Sequence, residues 1–217
     1  MKLMAVMAHP DDAEIWCGGT LILHAEKGDA VRICSLSYTG ESTRGQEAYE
    51  GAKRMGCEVE FLGLDDTAIR DTDEAAAQLT GSIDSFRPDT IITHWFDDMH
   101  PDHEATFRVL RRALICGFLG KSIDALKTTP RIFCCDTYNS IGFHGPFKPD
   151  RFVDVTHIWK KKETTIKAHE SQLLSLYMDM IERQCLSHGK AAGTKRAEGF
   201  LYLPLFGRPD DGAPLGG

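Results

Sequence analysis

Short apolar runs at 3–7, 30–36, 59–62, 90–93, 131–135 and 152–155 alternate with longer stretches of helical period, and no other feature of the chain constrains the fold as much. The runs are rich in Val, Ile, Leu and Phe and mostly lack polar alternation, as strands buried on both faces should. Between them, 12–28 carries Ile15, Gly19 and Ile22 on one stripe, and 45–55 carries Ala48, Ala52 and Met55. Residues 74–86 carry Leu79, Ile83 and Phe86 and stop before Pro88, while 104–118 carry Phe107, Leu110 and Leu114. Strand–helix alternation implies βαβ units: an α/β fold with a largely parallel sheet and helices on both faces. Two more polar helices, over 156–169 and 171–188, are expected at the sheet's end. No repeat, low-complexity segment or linker divides the chain, so 1–217 reads as a single domain, with a Gly/Pro-rich tail from 204 expected to fray.

Composition removes several classes. A net charge of −7 and a pI near 5.7 argue against a nucleic-acid partner, because binding to a phosphate backbone rests on clustered cations. No apolar run approaches the roughly 20 residues that span a bilayer, so no membrane partner is expected. The apolar start is followed at once by His9-Pro10-Asp11-Asp12, which reads as a first core strand rather than an export signal. Seven cysteines form no CxxC pair, which suggests reduced thiols in a cytoplasm. Adjacent Cys134 and Cys135 read as strand packing residues, with a vicinal disulfide as the alternative.

Ligands of open parallel sheets bind beyond the carboxyl ends of the strands. Three such loops are unusual here: 8–12, 38–45 and 94–103. In the first, Pro10 fixes a turn between His9 and Asp12, so an imidazole and a carboxylate converge, with Asp11 between them. The competing explanation is helix capping by Asp11 or Asp12. The third loop holds three His and three Asp in ten residues, with His100 and His103 flanking Pro101-Asp102. His9, Asp12 and one of His100 or His103 would make a two-His, one-carboxylate set, the ligand set of a catalytic divalent metal with open positions. Cys17 lies within the first helix and is expected to face the core.

Ala8-His9-Pro10-Asp11-Asp12-Ala13-Glu14 followed by Cys17-Gly18-Gly19-Thr20 resembles the signature of the PIG-L/LmbE-like deacetylases, and His100-Pro101-Asp102-His103 resembles their second motif. That family includes bacterial enzymes that deacetylate N-acetylglucosaminyl malate or inositol. Weaker likeness runs through Ser42-Thr43-Arg44-Gly45, Leu62-Gly63-Leu64-Asp65-Asp66, His169-Glu170-Ser171-Gln172 and Arg196-Ala197-Glu198-Gly199-Phe200, covering about 3–200. The resemblance implies a Rossmann-like three-layer fold and a Zn²⁺-dependent de-N-acetylase acting on a small amino-sugar substrate. It also implies His9, Asp12 and His103 as metal ligands, Asp11 as general base, His100 as oxyanion stabiliser, Asp102 as the partner orienting His100, and Arg44 on the substrate side. Trimers or hexamers are the assemblies it suggests. The donor set suits Fe²⁺ as well as Zn²⁺. Trp16 departs from the family, where a small residue is usual, and is expected to alter packing without touching the ligands.

Competing readings are hydrolysis of another amide, such as an acylated aminoglycoside or thiol conjugate, and a non-catalytic metal- or ligand-binding module. Dinucleotide and P-loop sites fail for want of GxGxxG or GxxxxGK[ST]. His94 and His144 receive no role from the sequence, and Glu14 reads as a supporting acid rather than a ligand.

Overall fold

The structure, a computed structural model, describes residues 1–118, 129–204 and 215. The strands are β1 (Lys2–Met7), β2 (Ala30–Ser37), β3 (Glu58–Leu64), β4 (Thr90–Thr93), β5 (Arg131–Cys135), β6 (Ile141–Gly142), β7 (Gly145–Pro146), β8 (Arg151–Asp154) and β9 (Ala197–Leu203). The helices are α1 (Asp12–Trp16), α2 (Gly18–Glu26), α3 (Thr43–Met55), α4 (Asp73–Phe86), α5 (Pro101–Phe118), α6 (Trp159–Ile166) and α7 (Leu174–Ala192).

Seven strands form one sheet in the order β3-β2-β1-β4-β5-β9-β8. The pairings from β3 to β5 are parallel, and β9 runs antiparallel to both of its neighbours. Side chains along β1 alternate between two cores. Leu3, Ala5 and Met7 join Leu21, Met55, Trp159 and Ile181 on one face. Met4 and Val6 join Leu79, Phe86, Val109 and Leu114 on the other. This is the expected three-layer α/β arrangement. The chain leaves β1 toward β2 on one side and returns to β4 on the other, so the strand order reverses between β1 and β4. Such a reversal opens a crevice at the strands' carboxyl ends, and the loops after β1 and β4 are the two that carry the His/Asp segments.

Three expectations need correction. The helix predicted over 12–28 is two helices, broken at Cys17, whose φ is −141°. The break has a partner: the Glu198 carboxylate accepts the backbone amides of Gly19 and Thr20, each at 2.8 Å, and the Thr20 hydroxyl at 2.6 Å. A carboxylate at a helix start satisfies amides that the helix itself leaves open. Gly19 is required there, since a Cβ would sit 2.5 Å from Val155 Cγ1. Cys17 is buried in the core, as expected. Second, β9 was not anticipated, because Glu198 and Gly199 interrupt its apolar run. Third, the helix over 156–169 shortens to α6. The fraying tail falls on 205–214, 216 and 217, outside the described residues. Cys134 and Cys135 are free, buried thiols on opposite faces of β5.

Candidate metal centre and active site

Asp12 is the hub of the crevice. It opens α1 and is 2% exposed. Its Oδ2 accepts the His9 backbone amide at 2.8 Å and lies 3.2 Å from both His9 Nδ1 and His94 Nε2. Its Oδ1 lies 3.3 Å from His103 Nε2. Neither acid explains itself as a cap, because Asp11 at the helix N-cap makes no side-chain capping bond and the Asp12 carboxylate is spent on His9 and Trp16. The Trp16 expectation is overturned: its indole Nε1 donates to Asp12 Oδ1 at 3.2 Å, because position 16 is one helical turn beyond 12 on α1.

Asp11 adopts φ 104°, a region costly for a non-glycine residue. The carboxylate faces Arg44, whose Nη2 donates to Asp11 Oδ1 at 3.0 Å and to the Pro10 carbonyl at 2.9 Å. Arg44 is presented by the first turn of α3, which Ser42 caps by accepting the Gly45 amide at 3.0 Å. Its Nη1 reaches the Tyr38 hydroxyl at 3.3 Å, and that hydroxyl in turn bonds Asp66. Burial and the charge of Asp12 push the Asp11 carboxyl up to about 7, with Arg44 opposing them. For Asp12, burial acts upward, but the charges of His103 and His94 hold it well below the usual carboxylate range.

His103, fully buried at the start of α5, directs Nδ1 to Asp98 Oδ2 at 2.9 Å. This leaves Nε2, facing Asp12, with no hydrogen-bond partner. A carboxylate behind an imidazole whose other nitrogen is bare is the arrangement of a metal-ligating histidine. Three donor sets, His9/His100/His103, Asp12/His94/His103 and His9/Asp66/Asp102, each lie within 4.8 Å, and the expected His9, Asp12 and His103 are divided between the first two. The residues therefore fit a divalent cation.

His100 stacks on His103 with ring centroids 4.5 Å apart. Here the geometry departs from expectation. The Asp102 backbone amide, not its carboxylate, meets His100, donating to Nδ1 at 3.2 Å. The carboxylate instead turns to His9 Nε2 at 3.2 Å, because the first turn of α5 directs that side chain inward. With Nδ1 accepting, a neutral His100 carries its proton on Nε2. Burial and then the charges of His103 and His9 lower its pKa, which favours that neutral form.

Sequence reasoning missed His94, Asp98, Asp66 and Tyr38 as members of the site. His94, fully buried, stacks on His103 at 3.7 Å and accepts the Ala8 amide on Nε2 at 3.0 Å. Burial and the charge of His103 push it down to about 4. Its signals were its place directly after an apolar strand and its membership of the His/Asp-rich 94–103 loop. His144 pairs with Asp97, outside the donor sets, and lines a groove of about 580 Å³ with Trp95, Phe96, Phe143 and Asp98. Glu14 is buried against His169 at 3.2 Å.

Fold and site together define a Rossmann-like α/β protein with a buried His/Asp cluster at its switch point. The chain belongs to the GlcNAc-PI de-N-acetylase (PIG-L) family, which matches residues 4–114. It is 25% identical over 232 residues to a diacetylchitobiose deacetylase of Thermococcus kodakarensis, covering 94% of this chain and 83% of the relative. It is 24% identical over 224 residues to a 4-oxalmesaconate hydratase of Pseudomonas putida, covering 92% and 85%. Among solved structures, a conserved protein of Thermus thermophilus superposes with a TM-score of 0.79 at 26% identity, covering 92% of this chain and 93% of the other.

Proposed function

We infer that the protein is a divalent-metal-dependent hydrolase that removes the N-acetyl group from an N-acetylglucosamine-type sugar or its conjugate. The observation that carries this reading is the bare, buried Nε2 of His103, backed by Asp98 and facing Asp12. His9, Asp12 and His103 would hold Zn²⁺, with Fe²⁺ as the alternative. When bound, such an ion supplies Lewis acidity, acidifying water and polarising a carbonyl.

The remaining work falls to the chain. Asp11, with its carboxyl near 7, is suited to take a proton from water and return it to the departing amine. Its strained backbone and the Arg44 bond fix where that carboxylate stands. His100 presents an Nε2–H to a developing oxyanion as a neutral donor, so no imidazolium is needed. A donor of this kind is worth roughly 2.7–4 kcal/mol. Asp102 holds His9 through its carboxylate and His100 through its amide. Arg44 offers the substrate side a guanidinium suited to hydroxyls or carboxylates.

The reading extends to one domain over 1–217, to a trimer or hexamer suggested by family likeness, and to a cytoplasmic setting suited to seven free thiols. No helix among the described residues is long and apolar enough to cross a membrane. The hydratase relative, matched as extensively as the deacetylase, favours a second reading: addition of water to an unsaturated carboxylate. Acetate release from a panel of N-acetyl sugars, assayed anaerobically with Zn²⁺ and Fe²⁺ separately, tests the first reading. Silence across the panel, with turnover of an unsaturated dicarboxylate, would replace it with the second.

A further inference from the structure

The side chains around Asp12 assign Trp16 a task. We propose that Trp16 is a positioning residue for the cation site: its indole N–H fixes the Asp12 carboxylate, and so governs how tightly and in what geometry a divalent cation is held. This rests on the metal-site reading above but not on the reaction assigned to it.

The Asp12 carboxylate has two oxygens, and each accepts an N–H whose donor role depends on no imidazole tautomer. Oδ2 accepts the His9 backbone amide at 2.8 Å, a contact within the His-Pro-Asp-Asp turn. Oδ1 accepts the Trp16 indole at 3.2 Å. A carboxylate held on one oxygen alone pivots about its Cβ–Cγ bond; held on both, its plane is set. Oδ1 is also the oxygen that faces the bare His103 Nε2 at 3.3 Å. The indole therefore grips the same atom that Asp12 turns toward the second imidazole.

The indole is itself fixed. Trp16 is 4% exposed, so water does not compete for its N–H. Its ring meets Tyr138 edge-to-face, with centroids 5.0 Å apart and planes at 85°. Tyr138 in turn lies nearly parallel to His103, 5.8 Å away at 14°. Trp16 and His103, from segments far apart in the chain, are thus coupled twice: through the Asp12 carboxylate and through the Tyr138 ring. Being buried behind Asp12, Trp16 acts through the ligand rather than on substrate. Hydrogen-bond partners of metal ligands typically carry about 10–100-fold in metal affinity.

Two replacements test this. Trp16→Phe keeps an aromatic ring and removes the donor. Replacement of Trp16 by 3-benzothienylalanine keeps the two-ring shape and puts sulfur where the N–H was. Zn²⁺ affinity is measured by competition with a chromophoric chelator, and the visible spectrum of the Co²⁺-loaded protein reports ligand geometry. Both replacements are expected to weaken Zn²⁺ binding about 10–100-fold and to shift the Co²⁺ bands. A benzothienyl variant with affinity within about twofold of the parent and an unchanged Co²⁺ spectrum would overturn the proposal, and it decides the matter even where the Phe variant fails to fold. Amide hydrolysis is followed in parallel. Weakened affinity in a protein that hydrolyses no amide upholds the role of Trp16 and refutes the reaction; the converse result does the reverse.

Discussion

Acid should expel a divalent cation from this site in a way that His103 dictates. The His103 imidazole lies between Asp98, 2.9 Å from Nδ1, and Asp12, 3.3 Å from Nε2. Burial acts to lower its pKa, but the Asp12 and Asp98 carboxylates outweigh burial and push it up to about 10. At pH 7 the ring is then protonated on both nitrogens, including the one a cation needs. Cation and proton compete for that atom. The gap from pH 7 to about 10 is about three decades of forfeited affinity, or about 4 kcal/mol. The dissociation constant should rise about tenfold for each unit of pH lowered from 9 to 7, with at least one proton released per cation. Chelator competition across that range gives the slope, and calorimetry in buffers of different ionisation enthalpy gives the proton count. A flat dissociation constant with no proton release would remove His103 from the ligand set. Stability is linked to the same group. Its pKa is raised above the ordinary 6.5, so its contribution to the metal-free fold is complete below 6.5 and is lost as the pH climbs through about 10. The melting temperature of metal-free protein should therefore fall over that window more steeply than that of loaded protein.

Three further outcomes follow from named contacts. Asp11→Asn should retain the metal, by elemental analysis, while turnover drops about 10²–10⁴-fold, the usual worth of a positioned base; unchanged turnover removes Asp11 from the mechanism. Lys162→Met should cost about 3 kcal/mol in denaturant unfolding, because Lys162 Nζ bonds Glu198 at 2.6 Å where both groups are at most 2% exposed; a neutral result means that the three other donors on Glu198 suffice. Gly51→Ala places a Cβ 2.2 Å from Glu14 Oε1 and 3.3 Å from His169 Nε2, so it should separate that pair and cost about 1–3 kcal/mol, read as a lowered melting temperature.

The legible parts of the fold were those set by local pattern. The strands at 90–93 and 131–135 stand where apolar runs placed them, and α4 begins one residue before its expected start because Thr72 caps it. The break at Cys17 was not legible, because its cause is Glu198, which no local reading connects to Gly19. Strand β9 was hidden for the same reason: its polar residue is buried against a helix far away in sequence. At the site, His9, Asp11, Asp12, His100, Asp102, His103 and Arg44 do converge. Sequence spacing brought His and Asp side chains to two loops but could not say which atom meets which. That Asp98 backs His103, and that the Asp102 carboxylate serves His9 rather than His100, depends on how the first turn of α5 is rotated against β1.

The grip of Glu198 on the first residues of α2 sets an order on synthesis. The two short helices that present Asp12 leave the ribosome well before the carboxylate that seats the second of them, which arrives 179 residues after Gly19. Until that strand emerges and inserts between β5 and β8, the nascent chain holds the His-Pro-Asp-Asp turn without its final support. The turn that carries Asp12 therefore reaches its final seating only after β9 has been made.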